Sequence, residues 1–253
     1  MNLKLFLLGA TAMLGIAGPL VASQTFNGNG NTAWGGAIGN ATLTLSDNGT
    51  TVSGSLTTGA GLNGNAFVLY LQSGPGGFSS TSGFHDDADQ LRSAISEYTS
   101  TGNSGGSGQS FLNFASGFAP NYAIALQPDS GINFGGLWQL ASGGANSLPF
   151  IASINLSPTG SDAQGTYTFS FNLSDIGLTP GAGQSFELFG LEVSTTGYSS
   201  PEALGGNLTG TSGWGNTQTQ TSYSTYTTTV PEPSATALLG LSGLAALLIL
   251  RRK

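Results

Sequence analysis

Short runs in which apolar and polar residues alternate dominate the chain. Residues 41–45, 51–57, 65–71, 121–126, 134–140, 150–156, 166–173 and 185–194 are each of strand length. They are rich in Val, Ile, Thr and aromatic side chains and bounded by Gly, Asn, Ser or Asp. In the first two runs, Thr42, Thr44, Asp47, Thr51, Ser53 and Ser55 are expected on one face, with Leu43, Leu45, Val52 and Leu56 on the other. Asp47-Asn48-Gly49 lies between them, where a tight hairpin needs residues that tolerate positive φ. About eight such strands without recurring helices predict an all-β fold, an antiparallel β-sandwich of jelly-roll-like type. A β-solenoid is the alternative, but the chain shows no fixed repeat of about 20 to 50 residues.

One segment departs from this period. Across residues 86–98, Ala88, Leu91, Ala94, Ile95 and Tyr98 recur at helical spacing, and acids fill the first turn. This predicts one short helix laid against the sandwich, followed by a glycine-rich loop over residues 102–108. Residues 209–229, dense in Ser, Thr and Gln, are expected to form a last edge strand running into a stalk.

Both termini differ from the middle. Lys4, the apolar stretch 5–17 and Val21-Ala22-Ser23 have the layout of a secretory signal peptide over residues 1–23. At the other end Pro231-Glu232-Pro233 precedes an uncharged segment, 234–250, and the closing Arg251-Arg252-Lys253. As a separate C-terminal hydrophobic helix that segment would be roughly 26 Å long, near the lower limit for a hydrocarbon core of about 30 Å. The basic cluster holds its end on the cytoplasmic side. The triplet, span and basic stop together resemble the PEP-CTERM sorting signal of Gram-negative bacteria. That resemblance covers about a tenth of the chain. It implies passage through the inner membrane, a transient stay there, processing by an exosortase, and arrival at the cell surface or in the extracellular matrix. The expected plan is a signal peptide (1–23), a passenger domain (24–226), a linker (227–233), a transmembrane helix (234–250) and a cytoplasmic stop (251–253).

Charge narrows the partners. Four of the five basic residues lie in the two terminal signals, leaving Arg92 alone against eleven acids in the passenger. A nucleic-acid partner is excluded, because a phosphate backbone is bound by Lys and Arg displacing its counterions. The chain has no cysteine, hence no disulfide and no thiolate metal site. Its 41 glycines mark the turns between strands.

Catalytic patterns are sparse. His85 is the only histidine, and no serine has the surroundings of a nucleophile elbow. Two carboxylates facing each other across a cleft would suffice for a glycoside hydrolase, and Glu97, Glu187 and Glu192 are available. Glu187 and Glu192, five residues apart on one strand, are expected on opposite faces unless a bulge at Gly190 intervenes. Asp86, Asp87 and Asp89 form the candidate metal cluster, with Ca2+ the fitting ion, although they lack the spacing of an EF-hand loop. Trp34 and Trp214 lie among glycines, where a ring can be presented to a sugar. Trp138 reads as core.

Residues 66–71, Phe84-His85-Asp86-Asp87, 122–126 and 167–171 also resemble the strands of exported bacterial carbohydrate-binding or DOMON-like sandwiches. The resemblance implies a jelly roll more than it implies a ligand. The expected function is a non-enzymatic polysaccharide-binding or structural biofilm component needing no cofactor, with an acidic glycoside hydrolase or lyase as the alternative. Trp34 and Trp214 are expected to meet at one end or edge of the sandwich, as either a shared sugar platform or a small hydrophobic clasp.

Overall fold

The computed structural model describes residues 23–229 except 101–107, 130–132, 145 and 159. The signal peptide apart from Ser23, the Pro-Glu-Pro motif, the apolar segment 234–250 and the basic terminus lie outside the described residues. Among the described residues no helix is long and apolar enough to cross a membrane.

The predicted strands all form. Strands β1 (Ser23–Asn27), β2 (Thr42–Asp47), β3 (Thr51–Thr57) and β11 (Thr166–Asn172) make a four-stranded antiparallel sheet in the order β1-β2-β3-β11. A larger sheet contains β4 (Ala66–Gln72), β8 (Tyr122–Pro128), β9 (Asn133–Gln139), β10 (Phe150–Ile154), β12 (Ser185–Val193), β13 (Ser199–Leu204) and β16 (Ser224–Thr227). Its order is β10-β9-β8-β4-β12-β13, and β16 also pairs with β12. The chain crosses between the sheets from β3 to β4, from β10 to β11 and from β11 to β12, whereas β1–β3 and β8–β10 run as meanders. Shorter strands, β7 (Phe111–Asn113), β14 (Asn207–Gly210) and β15 (Thr217–Ser222), form a three-stranded sheet in which β15 and β7 are parallel. Strands β5 (Tyr98–Thr99) and β6 (Gly108–Gln109) make a separate pair.

Two hydrophobic cores flank the larger sheet. Leu43, Leu45, Val52 and Leu56 of the smaller sheet pack on Phe67, Leu69, Ile124 and Phe186. On the opposite face, Val68, Tyr70, Ala123 and Ala125 meet helix α1 (Gln90–Ser96), the one α-helix among the described residues, through Leu91, Ala94 and Ile95. The small side chains of Ala123 and Ala125 leave room for that helix. Tyr70, fully buried, donates its hydroxyl to Ile95 O at 2.6 Å, so its polar tip is satisfied inside an apolar layer.

Three expectations change. The helix is shorter than residues 86–98: Asp89 caps its start by accepting Arg92 N at 2.9 Å, and Glu97 ends it in the left-handed region with φ 50°. Asp47 does not share a face with Thr42 and Thr44. Period two places it with Leu43 and Leu45, and it is buried, with Ser46 outward in its stead. The segment after residue 209 is no stalk, since Gln218, Gln220 and Tyr226 are buried and Thr228 N donates to Gln184 O at 2.8 Å. The folded domain thus continues past residue 226, because the Gln side chains replace apolar ones inside β15 and Tyr226 enters the core.

Asp47 ties this C-terminal strand to the first hairpin. Its Oδ1 accepts Gly49 N at 2.8 Å, and its Oδ2 accepts Tyr226 Oη at 2.6 Å and Thr229 N at 3.0 Å. Burial first, then the Asp47 bond and its charge, push the Tyr226 hydroxyl well above its ordinary value. Asp47→Ala leaves these donors unpaired and should cost about 3 kcal/mol, a fall in Tm of roughly 6–12 °C in a thermal melt. Tyr226→Phe should cost less than half as much, because Thr229 N keeps its acceptor.

Candidate functional site

The loop carrying Trp34 is shaped by a single carboxylate. Glu202, fully buried on β13, accepts Trp34 N and Gly36 N on Oε1, both at 2.8 Å. Its Oε2 accepts Ile38 N at 3.0 Å and Gly39 N at 3.1 Å. The chain curls around this group by taking positive φ at Gly35 (97°) and Gly36 (83°), a concave array of N–H groups facing an anion. At Gly36 a side chain would also strike Asn40, so glycine is required there.

Trp34, Tyr198 and Trp214 form one half-buried cluster. Trp34 stacks on Tyr198 with centroids 5.6 Å apart, and Tyr198 meets Trp214 edge-on at 4.9 Å. The two tryptophans expected to meet are thus joined through a tyrosine that the sequence did not single out. Trp214 donates Nε1–H to Thr196 O at 3.3 Å and lies on the backbone of Gly108, where a Cβ would stand 2.7 Å from its ring.

Beside Trp214 opens a depression of about 500 Å³, lined by His85, Tyr98, Gln109 and Phe111 together with Trp214 and the glycines 108 and 215. His85 meets Tyr98 edge-on at 4.9 Å and hydrogen-bonds Gln109 Oε1 through Nε2 at 2.9 Å. The lining therefore offers ring faces and edges with amide and imidazole groups between them, and no carboxylate. Trp138, as expected, is core.

The three aspartates of the candidate metal cluster have separate tasks. Asp86, fully buried, accepts Ala88 N, Asn146 N and Leu148 N at 2.9–3.0 Å and faces Arg92 at 3.7 Å. Asp87 accepts Ser100 N at 2.6 Å. Asp89 caps α1 and pairs with Arg92 Nε at 3.2 Å. Among the described residues no three His, Cys, Asp or Glu side chains gather as a metal site would require.

The glutamates considered for hydrolysis lie elsewhere. Glu187 pairs with Gln72 and Glu192 with Phe67 in a continuous register along β4, so Gly190 carries no bulge there and the two face opposite ways. Glu97 is fully buried, and burial pushes its carboxyl well above the usual value. Glu192 is buried where β12 slips against β13 between Leu191 and Val193. Burial pushes its carboxyl up to about 8, with Glu202 adding to the rise and the Asn65 amide, 2.8 Å from Oε1, opposing it.

Glu192 should make stability depend on pH. Below about pH 4.5 folded and unfolded chains both carry its proton, whereas between there and about 8 only the folded chain does. Stability should therefore fall as pH rises through that window, by at most roughly 1.4 kcal/mol per pH unit from this group. Melts taken at intervals from pH 5 to 8 should show Tm declining. Glu192→Gln should flatten the decline.

Residues 229–253 match the family model of the PEP-CTERM protein-sorting motif. Neither the curated proteins nor the solved structures give a match. The aromatic cluster and its depression thus lie in the passenger of a chain that carries a PEP-CTERM sorting motif, a signal that implies export and handling by an exosortase at the membrane.

Proposed function

We propose that the passenger is a polysaccharide-binding component of the cell surface or extracellular matrix of a Gram-negative bacterium, released there after both terminal signals are removed. The observation that carries this reading is the depression beside Trp214, where Tyr98, Phe111 and Trp214 offer apolar ring surface next to Gln109 and His85. Sugars present apolar C–H faces and polar hydroxyl edges, and such a lining meets both. Binding is favoured over hydrolysis because no carboxylate lines the depression, and Glu97 and Glu192 are sealed in the interior.

In a screen of the intact chain on a glycan array, Trp214→Ala should weaken the strongest signal on the order of thirtyfold. Trp214→Phe should recover most of it. Equal binding by all three chains would reject the site. The address is tested apart from the ligand. Intact mass of protein recovered from the native host should lack residues 1–23 and the apolar segment 234–250, and a chain retaining that segment would be an anchored protein.

A further inference from the structure

The outward face of the four-stranded sheet is built almost wholly of hydroxyls. Strand registers place Thr25, Thr44, Ser55 and Thr168 side by side in one rung. Two residues along, Ser23, Ser46, Ser53 and Ser170 form the next, and the rung on the other side, from Asn27 to Thr166, follows the same rule. Ser157 widens the first of these rungs by bridging Thr168. These side chains are exposed or half-exposed, while every inward neighbour in β2, β3 and β11 is buried.

The rungs lie about 6.8 Å apart along the strands and their members about 4.8 Å apart across them, so the face presents hydroxyls on a grid. Some of these groups satisfy each other: Thr25 and Thr44 are bonded at 3.0 Å, and Thr57 and Thr166 at 2.9 Å. The central serines 46, 53, 55 and 170 have side chains that bond to no other described residue. Over them runs a trough of about 400 Å³, walled by Thr44, Thr168 and the segment 155–157.

The chemistry of the trough selects its occupant. Among the described residues no cation stands on this face, so an anionic polymer gains no ion pair there and meets a domain bearing eleven acids. There is no carboxylate among the rungs for a metal ion or a basic peptide, and the apolar residues that line the trough, Leu156 and Phe169, are buried and offer little to a hydrophobic partner. A neutral polymer with repeating hydroxyls matches the grid in kind, exchanging hydrogen bonds with water for hydrogen bonds with serine and threonine. Each bond contributes little, so a long chain spanning several rungs holds where a single sugar does not.

We propose that this face is a second binding surface, taking an extended neutral polysaccharide across the central serines. It stands independently of the aromatic depression. The two lie on opposite sides of the larger sheet, one on the four-stranded sheet and the other on the layer that contains α1, β5 and β6. A domain with both surfaces occupied joins two glycan strands.

The test uses the intact chain with Trp214→Ala, which silences the depression, and insoluble cellulose, curdlan and cross-linked dextran as neutral probes. Retention is expected on at least one of them, unaffected by excess glucose, and alginate should retain nothing. Adding Ser46→Ala, Ser53→Ala and Ser170→Ala should weaken retention at least about tenfold while the thermal melt stays unchanged. Ser53→Lys alone, an exposed change that blocks the trough, should act in the same direction. Retention on none of the three glucans, retention indifferent to the serine changes, or a chain that alters ice growth without holding a glucan would each overturn the proposal. Failure of the depression alone would show differently: Trp214→Ala would change nothing while the serine variants still lost binding.

Discussion

Strand β4 is buried on both of its faces, and the rest of the domain follows from that. Residues 66–71 have no exposed member, so the sheet around them needs a cover on each side. A sheet with two apolar faces cannot leave either in water, since each exposed Leu or Phe would lose on the order of 2 kcal/mol of transfer free energy. The four-stranded sheet supplies one cover. The other is assembled from pieces with little strand character: a seven-residue helix, three short strands and the loops between them. This irregular side is where a depression can form, while the regular side has a face of repeating rungs. The two candidate surfaces are consequences of covering one sheet in two ways.

Buried carboxylates fix the loops that do the covering. Asp47, Asp86 and Glu202 are each almost fully enclosed, and each accepts hydrogen bonds from a segment distant in sequence: Asp47 from Tyr226 Oη and Thr229 N, Asp86 from Asn146 N and Leu148 N, Glu202 from the loop of Trp34. Glu202 alone gathers four such donors. Charge-assisted bonds of this kind are stronger than neutral ones, and they compensate for the lost hydration of the acid. In a chain without cysteine and with one arginine in its fold, they hold loops that disulfides or ion pairs would hold elsewhere. The ring of Trp34 has its position because the backbone behind it is wrapped on Glu202.

Much of this was legible in the sequence, for reasons that also explain the omissions. Alternation revealed β2, β3 and β11 because one of their faces meets solvent. The uninterrupted run in β4 already announced burial on both faces, a reading that a search for alternation passes over. Residues 209–229 read as an edge strand and stalk, and the burial of β15 is hidden because its buried positions are Gln218 and Gln220, polar residues that enter the interior by bonding: Gln218 accepts the Ser199 hydroxyl and donates to Ser200 O. Asp47 shares the parity of Leu45 and faces inward, an acid that the interior holds only because Gly49 N, Tyr226 Oη and Thr229 N all donate to it. Trp34 and Trp214 stood out through their flanking glycines. Tyr198, which joins them, did not, since it lies far in sequence from Trp34 and only the fold brings the two rings together.

Arg92 is the only lysine or arginine between Lys4 and Arg251. It lies within α1, held by Asp86 and Asp89, on a helix packed against β4 and β8. A protease that cuts after basic residues must draw an extended stretch of chain into its cleft, which here means unwinding a helix seated on the central sheet. The folded passenger offers such enzymes no ready point of attack. An exported domain thereby gains persistence from the near absence of one kind of side chain, in a chain with no cysteine to form a disulfide.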